Sequence, residues 1–159
     1  MFRKMRRFKQ QVSELECKKI LAEEKRAAFS VIGDDGYPYT IPINFYYDEN
    51  DNRIYFHGAK EGHKIDAIRK YDKVCFSTWN QGFKKDGGWE WNSTSVIVFG
   101  KVKLVNDKNV IEDRLRKLAT KYYPNLEEVE VGMTGPAFNR VQMLAIDIEH
   151  MTGKLVNEK

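Results

Sequence analysis

The chain is predicted to be mainly β: an antiparallel barrel of six strands flanked by three helices. Three observations carry that prediction. The strand runs are mostly joined by tight turns, which suits pairing between neighbours in sequence. Helical periodicity is confined to three segments that do not alternate regularly with the strands, which argues against a βαβ stack. Pro42 lies inside a strand run, and a residue without an N–H belongs at a sheet edge or where a ligand interrupts the ladder. At 159 residues the chain is read as a single domain large enough to bury its own core.

The elements follow in order. Ser13-Glu14-Leu15-Glu16 is a capping box, with Ser13 at the N-cap and Glu16 reaching back. The helix it opens runs to about Arg26, with Leu15, Ile20 and Leu21 offered to a core. Ala27 to Ile32 is a short apolar strand, and Gly33-Asp34-Asp35-Gly36 turns it into a strand from Tyr37 to Tyr47. The turn-rich Asp48–Asn52 leads to the strand Arg53–His57, and Gly62 to Tyr71 reads as a helix with Ile65 and Ile68 on one side. Lys73 to Trp79 is a strand. Asn80 to Asn92 is a long loop carrying Gly82, Gly87, Gly88, Trp89 and Trp91, and loops of that length are often functional. Ser93 to Asn106 is a long strand, bent at Gly100. Asp107 N-caps a helix to Tyr123, with Val110, Ile111, Leu115 and Leu118 in register, and Pro124 stops it. Residues 125–139 read as irregular, and Arg140 to Glu149 alternates as the closing strand.

Composition excludes several classes. Charged residues make up 31% and hydrophobic residues 42%, an ordinary globular balance. The net charge of +4 is concentrated in Arg3, Lys4, Arg6, Arg7 and Lys9, a basic arm (residues 1–12) expected to be solvated. No aromatic-interleaved basic stripe recurs, so no nucleic acid partner is expected. No apolar run approaches membrane-spanning length and no signal-peptide core follows the basic start, so no membrane partner is expected. Cys17 and Cys75 have no metal spacing and fit a reducing cytoplasm; Cys75 is expected in the core and Cys17 partly exposed. His57, His63 and His150 lack zinc-site spacing, and there is no nucleophile elbow, phosphate-binding P-loop or carboxylate pair. A chain without its own reactive group catalyses by borrowing one from a cofactor.

The densest signal is Tyr37 to Asp66, YPYTIPINFYYDENDNRIYFHGAKEGHKID. A strand ending in the small, basic Gly58-Ala59-Lys60-Glu61-Gly62-His63-Lys64 at a helix start gathers free N–H groups and Lys charge, which suits an anion. This stretch, with Ser95-Val96-Ile97-Val98-Phe99-Gly100-Lys101-Val102, resembles the FMN-binding split-barrel family of pyridoxamine 5′-phosphate oxidase-like proteins, and within it the nitroimidazole-resistance branch.

The resemblance implies roles residue by residue. Thr40, Ile41, Pro42, Ile43 and Asn44 run along the flavin, although Ile41 and Ile43 equally suit barrel core. Phe56 and His57 meet the ribityl chain and phosphate, and His57, near the reactive flavin edge, is the catalytic candidate; a structural histidine is the ordinary alternative. His63 and Lys64 take the paired basic positions at the phosphate, with His63 standing where the oxidases carry Arg. Lys60 is a second base for the same anion. Ser95, with Thr94 as a substitute, stands where the oxidases carry an amide. Trp79, Trp89 and Trp91 either cover the site or bury apolar area at the interface or barrel end. The Arg-rich C-terminal motif of the oxidases is missing: only Lys154 and Lys159 are late bases, and Met151-Thr152-Gly153-Lys154 resembles the resistance branch instead. The resemblance thus implies an FMN-dependent oxidoreductase, not a true pyridoxamine phosphate oxidase. It would be a homodimer with sites at the subunit interface, reducing a small-molecule acceptor such as a 5-nitroimidazole. The alternatives are a non-catalytic flavin- or haem-binding module or sensor, and an anion- or nucleic-acid-binding barrel using the basic arm.

Overall fold

The computed structural model describes residues 1–157; Lys159 lies outside the described residues. An antiparallel sheet dominates: β1 (Arg26–Ile32), β2 (Pro38–Asn44), β3 (Tyr46–Asp48), β4 (Arg53–Ala59), β5 (Lys73–Trp79), β6 (Phe83–Lys84), β7 (Trp91–Val105) and β8 (Val141–Asn157). The order is β2-β1-β5-β7-β8-β4-β3, with β6 hairpinned onto β7. The sheet curls into a split barrel. β1 and β4 are separated by three strands, yet Phe29 and Phe56 lie 4.8 Å apart across the interior. Flanking it are α1 (Glu14–Glu23), α2 (His63–Lys70), α3 (Lys108–Tyr122) and α4 (Leu126–Thr134).

Among the described residues eight strands stand where six were expected, and each addition has an identifiable cause. The run Tyr37–Tyr47 is cut at Phe45. β2 pairs with β1 and β3 with β4, while the Phe45 amide donates to the Tyr122 hydroxyl at 2.9 Å. The long loop folds part of itself into β6. Pro42 lies on β2, an edge strand, as its missing N–H requires.

Alternation sets which residues enter the core. β1 turns Ala27, Phe29 and Val31 inward, and β5 turns Val74, Phe76 and Thr78 inward. Cys75 therefore faces out, half-buried, contrary to the core position expected. Cys17 instead is 2% exposed, because Cys17, Ile20 and Leu21 share one face of α1. Leu15, on the opposite face, is exposed. Ser13 caps α1 as predicted, accepting from the Glu16 amide at 3.2 Å.

β8 runs past Glu149 to Asn157, farther than predicted. Phe99 pairs with His150 but Gly100 with Ile148, so Glu149 is an extra residue that flips the inward parity. Gly100 permits this, since a Cβ there would lie 2.3 Å from the Asp147 carbonyl. Four consecutive residues of β8 are buried because the strand is covered on both sides. Leu144 and Ile146 enter the barrel core, while Met143 and Ala145 join Tyr55 and Leu115 beneath α3. α4 occupies the segment read as irregular; Asn125 caps it by accepting from the Glu127 amide at 3.0 Å.

The gap between β2 and β3 is clamped by α3. Lys121 donates to the carbonyls of Leu21, Glu24 and Phe45, and its ammonium lies 4.0 Å from the Phe45 ring centroid. Burial lowers this ammonium from 10.5 to about 8. Below pH 8 the fold therefore carries the full cost of burying the charge. Between pH 8 and 10.5 the unfolded chain binds the proton more tightly, so stability rises with pH through that window. Lys121→Met is expected to flatten that rise, which amounts to ~3 kcal/mol at most. Urea unfolding of both proteins at the two ends of the window checks this, and equal slopes would refute it.

Candidate functional site

The anion corner forms where β4 ends and α2 begins. On β4, Phe56 turns into the barrel and His57 out of it. The chain re-enters through Gly62, whose φ of +123° few other residues adopt, directly into α2. Among the described residues no side chain caps that helix start, so its first N–H groups are left for another partner. Lys64 bends back over β4. A Cβ on Gly58 would lie 2.5 Å from Lys64 Nζ, and Nζ is 5.9 Å from the Phe56 ring centroid. Half-burial lowers the Lys64 ammonium, and no carboxylate among the described residues offsets it. Burial of the imidazole among neighbouring atoms and the Lys64 charge together hold His57 below its ordinary value, although the residue is exposed. The corner thus holds an under-compensated cation beside uncapped N–H groups, a donor set suited to a phosphate.

His63 does not join it. Its ring stacks on Tyr39 at 4.1 Å, and Nε2 accepts from the Asp34 amide at 3.4 Å. Consecutive helical residues diverge by about 100°, so His63 faces the β1–β2 turn while Lys64 faces β4. Lys60 is exposed.

Alternation splits the β2 candidates. Ile43 is buried and Ile41 packs beside it in the barrel core. Thr40, Pro42 and Asn44 are exposed on the outer face. That face continues across the sheet in register. One row is Thr40, Ser30, Cys75, Phe99 and His150; the next is Pro42, Ala28, Ser77, Ile97 and Thr152. Ser95 lies on the same face, paired with Trp79 and Lys154, and Thr94 is buried on the other. The Thr40 and Ser30 hydroxyls are 2.8 Å apart. Ile32, Trp79, Ile97 and Phe99 leave this face apolar and exposed, and Phe2 of the basic arm stacks on His150 at 4.5 Å. Arg3, Lys4, Arg6, Arg7 and Lys9 are exposed. Trp89 and Trp91 are exposed as well, with Trp91 Nε1 donating to the Gln81 carbonyl.

The sequence reading did not include Lys121, Tyr122 or the α4 residues near His57. The Asn125-Leu126-Glu127-Glu128 capping pattern was the available signal for α4. Among the described residues no helix is long and apolar enough to cross a membrane, and no cluster of three or more His, Cys, Asp or Glu could hold a metal.

Solved structures share this fold. A candidate 5-nitroimidazole antibiotic resistance protein from Bacteroides thetaiotaomicron aligns with a TM-score of 0.77 at 22% identity, over 92% of this chain and 87% of its own. An FAD-binding protein from Mesorhizobium loti aligns at 0.69 and 21%, over 92% and 96%. An FAD and haem binding protein from Mycobacterium smegmatis aligns at 0.75 and 18%, over 92% and 73%. At these identities the likeness is one of fold. No curated protein matches the sequence. The pyridoxamine 5′-phosphate oxidase family model matches residues 13–155, spanning the capping box, the anion corner and nearly all of β8, and the chain belongs to that family.

Proposed function

We propose that this protein is a flavin-dependent oxidoreductase that holds FMN and passes electrons to a small acceptor, a 5-nitroimidazole being one candidate. The observation that carries the reading is the β4–α2 corner: a half-buried Lys64 over Gly58, at a helix start that no side chain caps. A phosphate supplies what that corner lacks, an anion that accepts from both the ammonium and the free N–H groups. When bound, the flavin supplies electron or hydride transfer. The chain supplies the rest: Lys64 anchors the phosphate, His57 holds a neutral imidazole across β4 from it, and Thr40, Asn44 and Ser95 offer polar groups from the outer face. The exposed Ile97, Phe99, Ile32 and Trp79 on that face support a homodimer, in which a second copy covers them. The family and the flavin-binding neighbours support the cofactor class, and the resistance-protein neighbour supports the acceptor.

The test is the absorbance spectrum of the purified protein after incubation with excess FMN and desalting, followed by oxidation of a reduced nicotinamide in the presence of a nitroimidazole. Retained flavin bands with turnover are expected. Retained flavin without turnover would favour the carrier or sensor reading, for which the FAD and haem binding neighbour is the support. No retained flavin would overturn the assignment of the corner.

A further inference from the structure

We propose that the cavity between α3, α4 and β4, with His57 at its rim, is the acceptor pocket, that it takes compact uncharged aromatic rings, and that Gly132 sets its size. This rests on the reading of the protein as a flavin-dependent reductase and adds where the acceptor binds and what it must look like.

The cavity has a volume of about 400 Å³ and its walls include Leu115, Leu118, Val129, Met133, Phe138 and Val141. Small-molecule pockets span roughly 300–1,000 Å³, so this one suits a substituted single ring better than a dinucleotide. The walls are aliphatic, aromatic or thioether, surfaces that pack against a planar apolar ring without asking it for hydrogen bonds. Three polar residues line it, all exposed: His57, Tyr123 and Glu128. Burial and the Lys64 charge favour a neutral His57 imidazole near pH 7, with one donor and one acceptor nitrogen and no net charge to attract an ion. The Glu128 carboxylate further disfavours anions. An uncharged ring bearing one nitro oxygen or ring nitrogen satisfies that set. His57 also adjoins Gly58 in sequence; successive strand residues face opposite sides, so the cavity lies across β4 from Lys64, whose charge still reaches His57.

Gly132 is the second observation. It lies inside α4, where glycine costs about 1 kcal/mol relative to alanine. Packing does not demand it: a Cβ there would meet nothing within 4 Å, and its φ lies outside the left-handed region. Gly132 does line the cavity, and a side chain on it would occupy open space at this site.

The experiment titrates 2-methyl-5-nitroimidazole, and nitrobenzene in parallel, into wild type, Gly132→Ala and Gly132→Leu, with and without saturating FMN. Binding is read by saturation-transfer NMR and folding by thermal melting. Both variants are expected to melt no lower than wild type, since each removes a helix glycine. Gly132→Ala is expected to bind within a few-fold of wild type, and Gly132→Leu to lose at least tenfold. FMN affinity is measured on the same samples and is expected to be unchanged. Undiminished nitro-compound binding by Gly132→Leu overturns the pocket, as does failure of wild type to bind either compound. If wild type takes no FMN, the flavin reading fails, while the pocket still stands or falls on the nitro-compound titration.

Discussion

Arg114→Met is expected to destabilise the fold by about 3–5 kcal/mol, the cost of stranding a buried charge. Arg114 lies on α3 and reaches the β3–β4 hairpin, where its guanidinium is 3.2 Å from Asp48 and 3.3 Å from Asp51. Asp48 is 2% exposed. One of its oxygens accepts from the Asn50 amide at 3.0 Å, while Oδ2 has no hydrogen-bond partner among the described residues. The 3.2 Å approach of Arg114 to Oδ2 is thus a Coulombic contact rather than an aligned hydrogen bond, and it is the main compensation for that oxygen. Lys117, at 3.8 Å and more exposed, is a weaker substitute. Arg114 also lies 5.0 Å from the Tyr55 ring centroid, and Tyr55 donates to Asp51. Removing the guanidinium therefore loosens several groups that hold α3 to the sheet. Replacing both partners, Asp48→Asn with Arg114→Met, is expected to recover much of the loss, because the most buried of the stranded charges is then gone and only the more exposed Asp51 keeps its own. Denaturant unfolding of the two single variants and the double variant checks this. If Arg114→Met cost less than 1 kcal/mol, the ion pair would be a surface-like contact and the argument would fail.

Where the sequence was legible, local chemistry and tertiary demand agreed. Ser13 caps α1, Asp107 caps α3 and Pro42 falls on an edge strand because each residue's backbone preference was also what the fold required. Parity was harder. A strand's alternation says that Cys75 and Phe76 face opposite ways, but only the sheet says which way is inward, and the two cysteines took opposite places to those expected. At Glu149 one bulge residue reversed the pattern, so Met151 and Gly153 face inward where a continued alternation would put their neighbours, and the strand looked finished eight residues early. The break at Phe45 was invisible because its cause, Tyr122, lies 77 residues away. For the site, the motif located the corner at Gly58 and Lys64. It also suggested that residues adjacent in sequence act as a pair, and the helix separates His63 from Lys64.

That separation yields the sharpest test. Lys64→Met is expected to weaken FMN binding roughly 10- to 150-fold, the loss of one charge-assisted hydrogen bond of about 1.5–3 kcal/mol. His63→Ala is expected to change it less than threefold, because His63 is engaged with Tyr39 and Asp34. Gly58→Ala is expected to resemble Lys64→Met, since its methyl would take the space that Nζ occupies. A second readout is independent of flavin. Lys64 is one of two influences that lower His57, so Lys64→Met is expected to raise the His57 titration toward its ordinary value, followed by NMR in the apo-protein. The two measurements separate structure from function. An upward shift of His57 with unchanged FMN affinity would mean that Lys64 lies where described but does not hold the phosphate. Loss of affinity on His63→Ala equal to that on Lys64→Met would mean that both bases reach the anion, and that α2 must turn on binding to bring His63 away from Asp34.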